Sequence, residues 1–586
     1  MTHLLPTQSR RLFRGQFLPV LALALTVIAW IGLTPWRPIL SGDDFGFYDS
    51  VVRTITGGRP IVSDWLAPAT VGLTVPAASM TWLVGDLWIG SMAIMGIFGL
   101  LGLAALWFLL RGLEIQPARI ALTILILGFF PIYLGKWTRF ESCLPSVSLL
   151  LTALALIIRV FRPESRPARP AWLYSLAAGL CIAWAIAIRQ NHVIVMLTCS
   201  LGLLVMPSLR QPMRQRVLLL ITWSLPTAIT FIALRLGVPL SFAQRTTTLY
   251  MVSAHFSVLG YVAALLRAVS FASGMAALMV LMIVPGAIIS IVQRMTRLSW
   301  VIGLASTGAL LLYAAQRPGW LTPNTDILAL QLIQQSLLIA IVLFGSLCWW
   351  PVVTSTLRFA APWISGGLLL MVVGYLVFVA AWGYWEYYLL EPIVLLAILL
   401  LMCTSDSANR ATIRSGQTGR PKPLQLGWIA WVTAVAIYVL LSWNIQRMSN
   451  DAQVTQLQVI EHAFRDRIAI PADIEQAPFG LLGWNLFPYQ VRHWSDSRQG
   501  FSLAFWELQS REPAVAFRWG CAGTEIDHAR DHILRSGTAQ VGWQQQCWSL
   551  VGHTGNVRTT AVITDYRYLP LTSLEWQQLL ARNINI

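Results

Sequence analysis

Long apolar runs dominate this sequence and restrict what it can fold into. With 56% hydrophobic and only 11% charged residues among 586, the chain is too apolar for an ordinary soluble protein. Crossing the hydrocarbon core of a bilayer takes about 20 apolar residues in an α-helix. We therefore predict an all-α polytopic membrane protein with about thirteen transmembrane helices, at residues 17–36, 83–110, 119–135, 143–158, 172–188, 193–209, 217–235, 270–292, 299–315, 331–350, 363–383, 388–403 and 427–444.

Basic residues near the ends of these segments predict the orientation. Lys and Arg are retained on the cytoplasmic side, and Arg10, Arg11 and Arg14 precede the first segment. A cytoplasmic N-terminus and an odd number of spans place the C-terminal region outside, as in a protein of a bacterial inner membrane. The net charge of +16 is carried by the membrane part. It indicates contact with the anionic headgroups of the lipid bilayer and no nucleic-acid partner.

The composition becomes mixed and polar after the last predicted span. This change divides the chain into a transmembrane domain, residues 1–444, and a soluble extracytoplasmic domain, residues 445–586. A helical pattern over 452–467 and strand-like runs at 514–519 and 559–564 predict a small α+β fold for the second domain. Because disulfides persist outside the cytoplasm, we expect Cys521 and Cys547 to be bonded.

Three loops of the membrane domain are longer than simple connectors. The first, residues 37–82, is predicted to lie outside and to contain an interfacial amphipathic helix over 45–55. The second contains a stretch, 261–267, that predicts another helix lying in the interface. The third, 404–426, is rich in Ser, Gly and Pro and is typical of a flexible linker.

An acidic pair, Asp43 and Asp44, opens the first loop. A charged side chain in hydrocarbon costs at least about 2.5 kcal/mol, so acids kept at a membrane edge indicate chemistry there. Asp64 and Trp65 follow in an irregular segment of the same loop. We take these two as candidate substrate-binding residues.

Glu141 is a third acid on the same predicted face, with Lys136 and Arg139 nearby in the connection between the third and fourth spans. Together with Asp43 and Asp44 it is suited to positioning a nucleophile or to binding a divalent cation such as Mg²⁺ or Mn²⁺ through oxygen. The alternative is a simple ion pair between Glu141 and Lys136 or Arg139.

Arg189, Gln190, Asn191 and His192 make up nearly the whole connection between the fifth and sixth spans. A guanidinium at the membrane surface can bind a phosphate through two hydrogen bonds, and the neighbouring amides and imidazole add donors. The alternative is an ordinary interfacial turn.

The segment from Tyr384 to Pro392 enters the twelfth predicted span from the same face and brings Tyr387 and Glu391 with it as candidate substrate-binding residues. Glu391 is expected slightly inside the hydrocarbon, where an acid needs a cationic partner. The candidates for that partner are Arg189, Arg235, Arg245 and Arg317; a purely structural ion pair is the alternative.

These motifs together resemble the GT-C class of integral-membrane glycosyltransferases, which includes protein O-mannosyltransferases and the aminoarabinose transferases acting on lipid A. The acidic pair at the start of a long first loop, the acid between the third and fourth spans, and the late aromatic-acid-proline segment carry this resemblance. ArgGlnAsnHis at 189–192 is also similar to the Arg-Gln-Thr-Asn pattern of the terminal glucosyltransferase of the dolichol-linked pathway. Asp64-Trp65 reverses that enzyme's Trp-Asp order.

The resemblance implies transfer of a sugar from a polyprenyl-phosphate donor to a glycan, lipid or protein acceptor on the extracytoplasmic side, usually with inversion. Asp44 or Asp43 is then the candidate base for the acceptor hydroxyl, alongside Glu141. Arg189, Lys136 and Arg139 are the candidate ligands for the departing phosphate. The competing interpretations are a transporter or flippase, a polymerase or ligase of lipid-linked glycans, and a sensor that works through its C-terminal tail.

Overall fold

The computed structural model describes the backbone of most of the membrane domain and of a few short strands. The described ranges are 5–35, 44–62, 70–161, 170–205, 212–237, 258–284, 297–298, 300–301, 304–305, 308, 362–382, 386–415, 431–444, 446–447, 450, 505–506, 515–516, 548–552, 561–564 and 567–570.

Within these ranges the membrane domain consists of helices joined by short turns and connections. Its helices are α1 (Leu5–Leu33), α2 (Asp44–Gly57), α3 (Val71–Val84), α4 (Leu87–Gly112), α5 (Pro117–Gly128), α6 (Pro131–Trp137), α7 (Cys143–Phe161), α8 (Ala171–Ile186), α9 (Val193–Val205), α10 (Met213–Gly237), α11 (Val258–Ile283), α12 (Pro362–Trp382), α13 (Leu390–Ser415) and α14 (Trp431–Asn444). Short 3₁₀ turns, Gln190–His192 and Glu386–Leu389, precede α9 and α13.

Most predicted spans coincide with helices. Five described helices are long and apolar enough to cross a membrane, or six when the bent pair α5 and α6 counts as one span. The predicted spans 299–315 and 331–350 lie largely or wholly outside the described residues. The total of about thirteen transmembrane helices therefore stays a prediction.

Several helices depart from the predicted pattern. The span predicted at 119–135 is bent by 64° between α5 and α6, because Pro131 starts a new helix and cannot continue the old one. The stretch 261–267 is not a separate interfacial helix, since it is part of α11. The predicted linker at 404–426 is helical as far as Ser415, at the end of α13.

The first loop contains one predicted helix and one that the sequence did not indicate. The predicted amphipathic helix over 45–55 corresponds to α2, which begins at Asp44. The second helix, α3, was missed because it is mostly apolar but only 14 residues long, and a short apolar run does not distinguish a helix from a strand. It docks on the end of α8, where Trp184 Nε1 donates to the Gly72 carbonyl over 2.8 Å.

Among the five described helices long and apolar enough to cross a membrane, α7 is the most buried, and it contacts both α4 and α8. All of its residues from Cys143 to Leu151 are buried. Gly99 on α4 allows the ring of Trp137 to lie directly against the helix, because any Cβ there would overlap the indole. Close approach through small residues is the usual way in which helices pack in membranes.

A polar cluster joins the ends of α1, α6 and the last helical segment. Gln446 Nε2 donates to Thr138 Oγ1 (3.2 Å) and to Asn450 Oδ1 (2.8 Å), and Asn450 Nδ2 donates to the Leu33 carbonyl over 2.9 Å. Trp30 also stacks on Trp137. These contacts fix the position of the chain just before Glu141.

Beyond Asn450, the described part of the C-terminal region consists of five short strands. They are β1 (Phe505–Trp506), β2 (Val515–Ala516), β3 (Trp548–Gly552), β4 (Ala561–Thr564) and β5 (Arg567–Pro570), paired antiparallel in chain order. Both strand-like runs of the sequence contain one of them, β2 and β4. The predicted helix 452–467, Cys521 and Cys547 lie outside the described residues, so the α+β domain and its disulfide stay predictions.

Candidate functional site

Two ion pairs lie beside the first turn of α7. One joins Lys136 to Glu141, and the other joins Arg189 Nη1 to Glu391 Oε1 over 2.9 Å. Ser146 Oγ in this turn lies 3.5 Å from Glu391 Oε1, and Glu141 lies just before α7 begins at Cys143. Residues from three distant parts of the sequence therefore meet at this end of the bundle.

The backbone around Arg189 directs its side chain into the protein. α8 ends at Ile186, and Arg189 then adopts an extended conformation (φ −147°, ψ 119°) before the 3₁₀ turn. The Arg189 side chain is 6% exposed, whereas Gln190 points outward and is exposed. α3 fixes this connection from one side, since the Gly72 amide donates to the Ala187 carbonyl over 2.6 Å.

Glu391 is fully buried in the first turn of α13. A carboxylate is favoured there by the dipole of the helix N-terminus, and Ser146 Oγ lies 3.5 Å from Oε1. The ring of Tyr388, in the preceding 3₁₀ turn, lies 4.2 Å from the Arg189 guanidinium carbon. Glu391 thus has the cationic partner that its position requires, and of the four candidates this partner is Arg189.

Asn191 and His192 are buried behind this ion pair. His192 Nδ1 is 2.6 Å from the Tyr375 hydroxyl of α12, and its Nε2 is 3.9 Å from Glu391 Oε1. The Asn191 amide lies beside the same carboxylate but does not meet hydrogen-bond geometry with any described residue. The turn ArgGlnAsnHis is therefore more than an interfacial connection, because three of its four side chains are buried.

Glu141 follows the end of α6 and is paired with Lys136, as one of the two sequence interpretations proposed. Arg139 is only half-buried between them. Phe140, immediately before Glu141, is fully buried against α2: its ring centroid lies 5.9 Å from Phe47 and 5.0 Å from Tyr48. This packing brings the first turn of α2 next to the residue that precedes Glu141.

The predicted acidic pair is described only in part. Asp44 is the first residue of α2, less than one turn before Phe47. The side chain of Asp44 and the whole of Asp43 lie outside the described residues, as do Asp64, Trp65 and the side chain of Tyr387. Their roles stay predictions.

The predicted cation site is only partly described. Of its three proposed ligands the structure describes the Glu141 side chain alone, and a lysine ammonium contacts that carboxylate. Among the described residues no group of three His, Cys, Asp or Glu side chains is arranged to hold a metal ion. A cation at this site depends on Asp43 and Asp44 and stays a prediction.

Three contributors to the site were not identified from the sequence. Ser146, Tyr375 and Tyr388 contact Glu391, His192 and Arg189, respectively. Tyr388 is adjacent to the predicted site residue Tyr387 and could have been included among the candidates on that basis. Ser146 and Tyr375 occur inside apolar helices, where only the tertiary packing shows that they face a polar cluster.

No protein-family model matches the chain, and no curated protein matches it either. Among solved structures, the chain is similar to the oligosaccharyltransferase AglB from Archaeoglobus fulgidus, in complex with an inhibitory peptide and a dolichol-phosphate. The TM-score is 0.41 at 13% identity, covering 79% of this chain and 61% of that one. A further structure of that oligosaccharyltransferase, in complex with Zn and sulfate, has a TM-score of 0.41 at 11% identity and covers 78% and 58% of the two chains.

The chain is also similar to ArnT from Cupriavidus metallidurans bound to undecaprenyl phosphate, with a TM-score of 0.39 at 13% identity, covering 80% of this chain and 84% of that one. It thus spans about three fifths of the length of the archaeal protein and most of that of ArnT.

Proposed function

We propose that this chain is a membrane glycosyltransferase that moves a sugar from a polyprenyl-phosphate donor to an acceptor at the extracytoplasmic face. The observation that carries the proposal is that the Lys136–Glu141 and Arg189–Glu391 pairs meet beside the first turn of α7, while Phe47 in the first turn of α2 packs on Phe140 just before it. Cations for a phosphate and the first residue of an acid-bearing helix occur together there, at the end of an apolar bundle.

The cationic side of the site suits a lipid phosphate. A departing phosphate carries negative charge, so the enzyme chiefly has to stabilise that anion and needs little acid catalysis. Arg189 offers a planar guanidinium that can bind two phosphate oxygens, and Lys136 adds an ammonium from a separate segment. Both groups are largely shielded from water, which strengthens their attraction for an anion.

The acidic side supplies the base. Asp44, or Asp43 beside it, takes the proton of the acceptor hydroxyl, and the hydroxyl oxygen attacks the anomeric carbon on the face opposite the phosphate. The bond from that carbon to the phosphate oxygen breaks, and polyprenyl phosphate leaves toward Arg189 and Lys136. The new glycosidic bond then has the inverted configuration.

A divalent cation fits this proposal only if Asp43 and Asp44 provide most of its ligands. Mg²⁺ and Mn²⁺ prefer oxygen ligands, and Glu141 would complete such a set after leaving Lys136. When bound, the cation would supply additional positive charge for the phosphate. Arg189 and the candidate base have the same tasks with or without it.

Binding of a polyprenyl monophosphate to the purified protein in nanodiscs tests the cationic side. We expect Arg189→Ala to weaken binding about 10-fold to 100-fold, because it removes a buried charge-assisted contact. Arg159→Ala is the matched control, since Arg159 is an exposed arginine at the opposite end of α7. Equal affinities of the wild-type protein and Arg189→Ala would contradict the proposal.

Turnover tests the acidic side. A panel of polyprenyl-phosphate hexoses and pentoses is offered with membrane lipid or glycan acceptors, and release of polyprenyl phosphate is measured. The double variant Asp43→Asn/Asp44→Asn is expected to lose turnover while keeping lipid-phosphate binding. Full turnover by this variant would overturn the proposal, and binding with transbilayer movement but no sugar release would favour a flippase.

A further inference from the structure

We propose that Glu391 is a positioning residue that holds Arg189 in the ligand-free protein and exchanges it for the donor phosphate, moving onto Asn191 and His192. The inference rests on the proposed function, because it assumes that Arg189 binds the lipid phosphate. In this proposal Glu391 pairs with Arg189 and does not bind the substrate. Asn191 and His192 receive the displaced carboxylate and do not bind the phosphate.

The geometry provides two positions for one carboxylate. Oε1 of Glu391 is 2.9 Å from Arg189 Nη1 and 3.9 Å from His192 Nε2. The first distance is a charge-assisted hydrogen bond, and the second is too long for one. A movement of about 1 Å would convert the second contact into a hydrogen bond while opening the first.

The polar atoms that would form the second position have no hydrogen-bond partner among the described residues. Glu391 Oε2, His192 Nε2 and both polar atoms of the Asn191 amide are buried without a hydrogen-bond partner among the described residues. Buried polar atoms are almost always paired in folded proteins, so a cluster of four neighbouring exceptions needs an explanation. A state in which the carboxylate turns toward the amide and the imidazole satisfies several of them at once.

Tyr375 prepares His192 for this task. Its hydroxyl lies 2.6 Å from Nδ1, and as a donor it leaves the imidazole proton on Nε2, the side that faces the carboxylate. A negative charge on that side favours the same tautomer electrostatically. His192 and Asn191 can therefore receive the carboxylate with two neutral donors and no additional charge.

Charge explains why the exchange is needed. A guanidinium as buried as that of Arg189 requires an anion at all times, and Glu391 is that anion before the donor arrives. A phosphate that enters while the carboxylate stays in place would put two anions on one cation. Displacement of Glu391 onto neutral donors avoids this repulsion and leaves Arg189 paired in both states.

The decisive variant is Glu391→Gln. Removing the internal competitor should tighten binding of a polyprenyl monophosphate in nanodiscs, by about 3-fold to 10-fold for a buried charge contact. A merely structural ion pair, or a Glu391 that binds substrate, predicts weaker or unchanged binding. Inorganic phosphate is titrated in parallel as a headgroup without the lipid, and it should show the same direction of change.

The receiving side is tested by Asn191→Leu and His192→Phe, which keep the volume and remove the donors. Both variants should weaken binding of the polyprenyl monophosphate by about 3-fold to 10-fold, because the displaced Glu391 carboxylate then lacks a hydrogen-bond donor. Thr198→Val is the matched control, since Thr198 is a buried residue of α9 whose hydroxyl donates within its own helix to the Ile194 carbonyl. Unchanged binding in both receiving variants would overturn the exchange even if Glu391→Gln failed to fold.

A double-variant cycle separates this inference from direct phosphate binding by Asn191. In the Glu391→Gln background, Asn191→Leu should have no further effect, because no carboxylate remains to be received. A persistent loss would mean that Asn191 contacts the phosphate itself. Arg189→Ala distinguishes the two proposals: if it leaves binding intact the function proposed above falls, and if it weakens binding while Glu391→Gln does not tighten it, only the exchange falls.

Discussion

The two ion pairs at the start of α7 differ in how they are built. Lys136 and Glu141 are five residues apart and belong to one short connection, whereas Arg189 and Glu391 are 202 residues apart and join the start of α13 to the turn before α9. The Lys136 side chain is 14% exposed, and the Glu391 side chain is not exposed at all. The first pair is a local feature, and the second depends on the whole bundle being assembled.

This difference has an energetic consequence. The local pair is expected to contribute less to stability, because Lys136 keeps some contact with water and Arg139 lies in the same connection as a second cation for Glu141. Removing one partner of a fully buried pair leaves an uncompensated charge, which is strongly destabilising. Arg189 and Glu391 are therefore expected to be essential to the folded bundle as well as to the site.

The largest expected effect is that of Glu391→Ala. Loss of the only carboxylate paired with Arg189 in the described residues should lower the free energy of unfolding by about 3–5 kcal/mol. Reversible unfolding in mixed detergent micelles measures this change. The double variant Arg189→Gln/Glu391→Gln is the control, since it removes both charges and should be less destabilised than Glu391→Ala; equal losses would mean that packing, not charge, accounts for the effect.

The sequence predicted the membrane-domain helices more fully than it predicted this site. An apolar run long enough to span a bilayer can be predicted to be a helix, because backbone groups in hydrocarbon must be hydrogen-bonded within the segment itself. α3, the bend before Pro131 and the extension of α13 to Ser415 were missed, since they depend on tertiary packing or lie in segments whose composition is ambiguous.

The site itself was predictable only as a set of candidates. Glu391 had to have a cationic partner, and the sequence narrowed that partner to four arginines without selecting Arg189. For Glu141 it offered two neighbouring cations, and the structure selects Lys136. The contact between Tyr375 and His192 could not be predicted from the sequence, because the two residues are 183 positions apart and no local pattern links them.

A smaller effect is expected for Lys136→Met at the local pair. Its methylene stem is replaced by one of similar length, and Arg139 remains in the same connection as a second cation. We expect a loss of about 1 kcal/mol or less in the free energy of unfolding, measured in the same micelles. A loss as large as that of Glu391→Ala would show that the two pairs are equivalent and remove the contrast between them.

The smallest effect concerns the ring of Tyr388, which covers the Arg189 guanidinium at 4.2 Å. Tyr388→Phe keeps the aromatic face, whereas Tyr388→Leu replaces it with an aliphatic side chain of smaller reach. We expect Tyr388→Leu to be less stable than Tyr388→Phe by about 1 kcal/mol, the usual size of a partly shielded cation–π contact. The comparison isolates the ring, because both variants lack the hydroxyl. If the two variants unfold at the same free energy, the aromatic ring contributes nothing measurable, and the contrast with the local pair rests on the buried contact between Arg189 and Glu391.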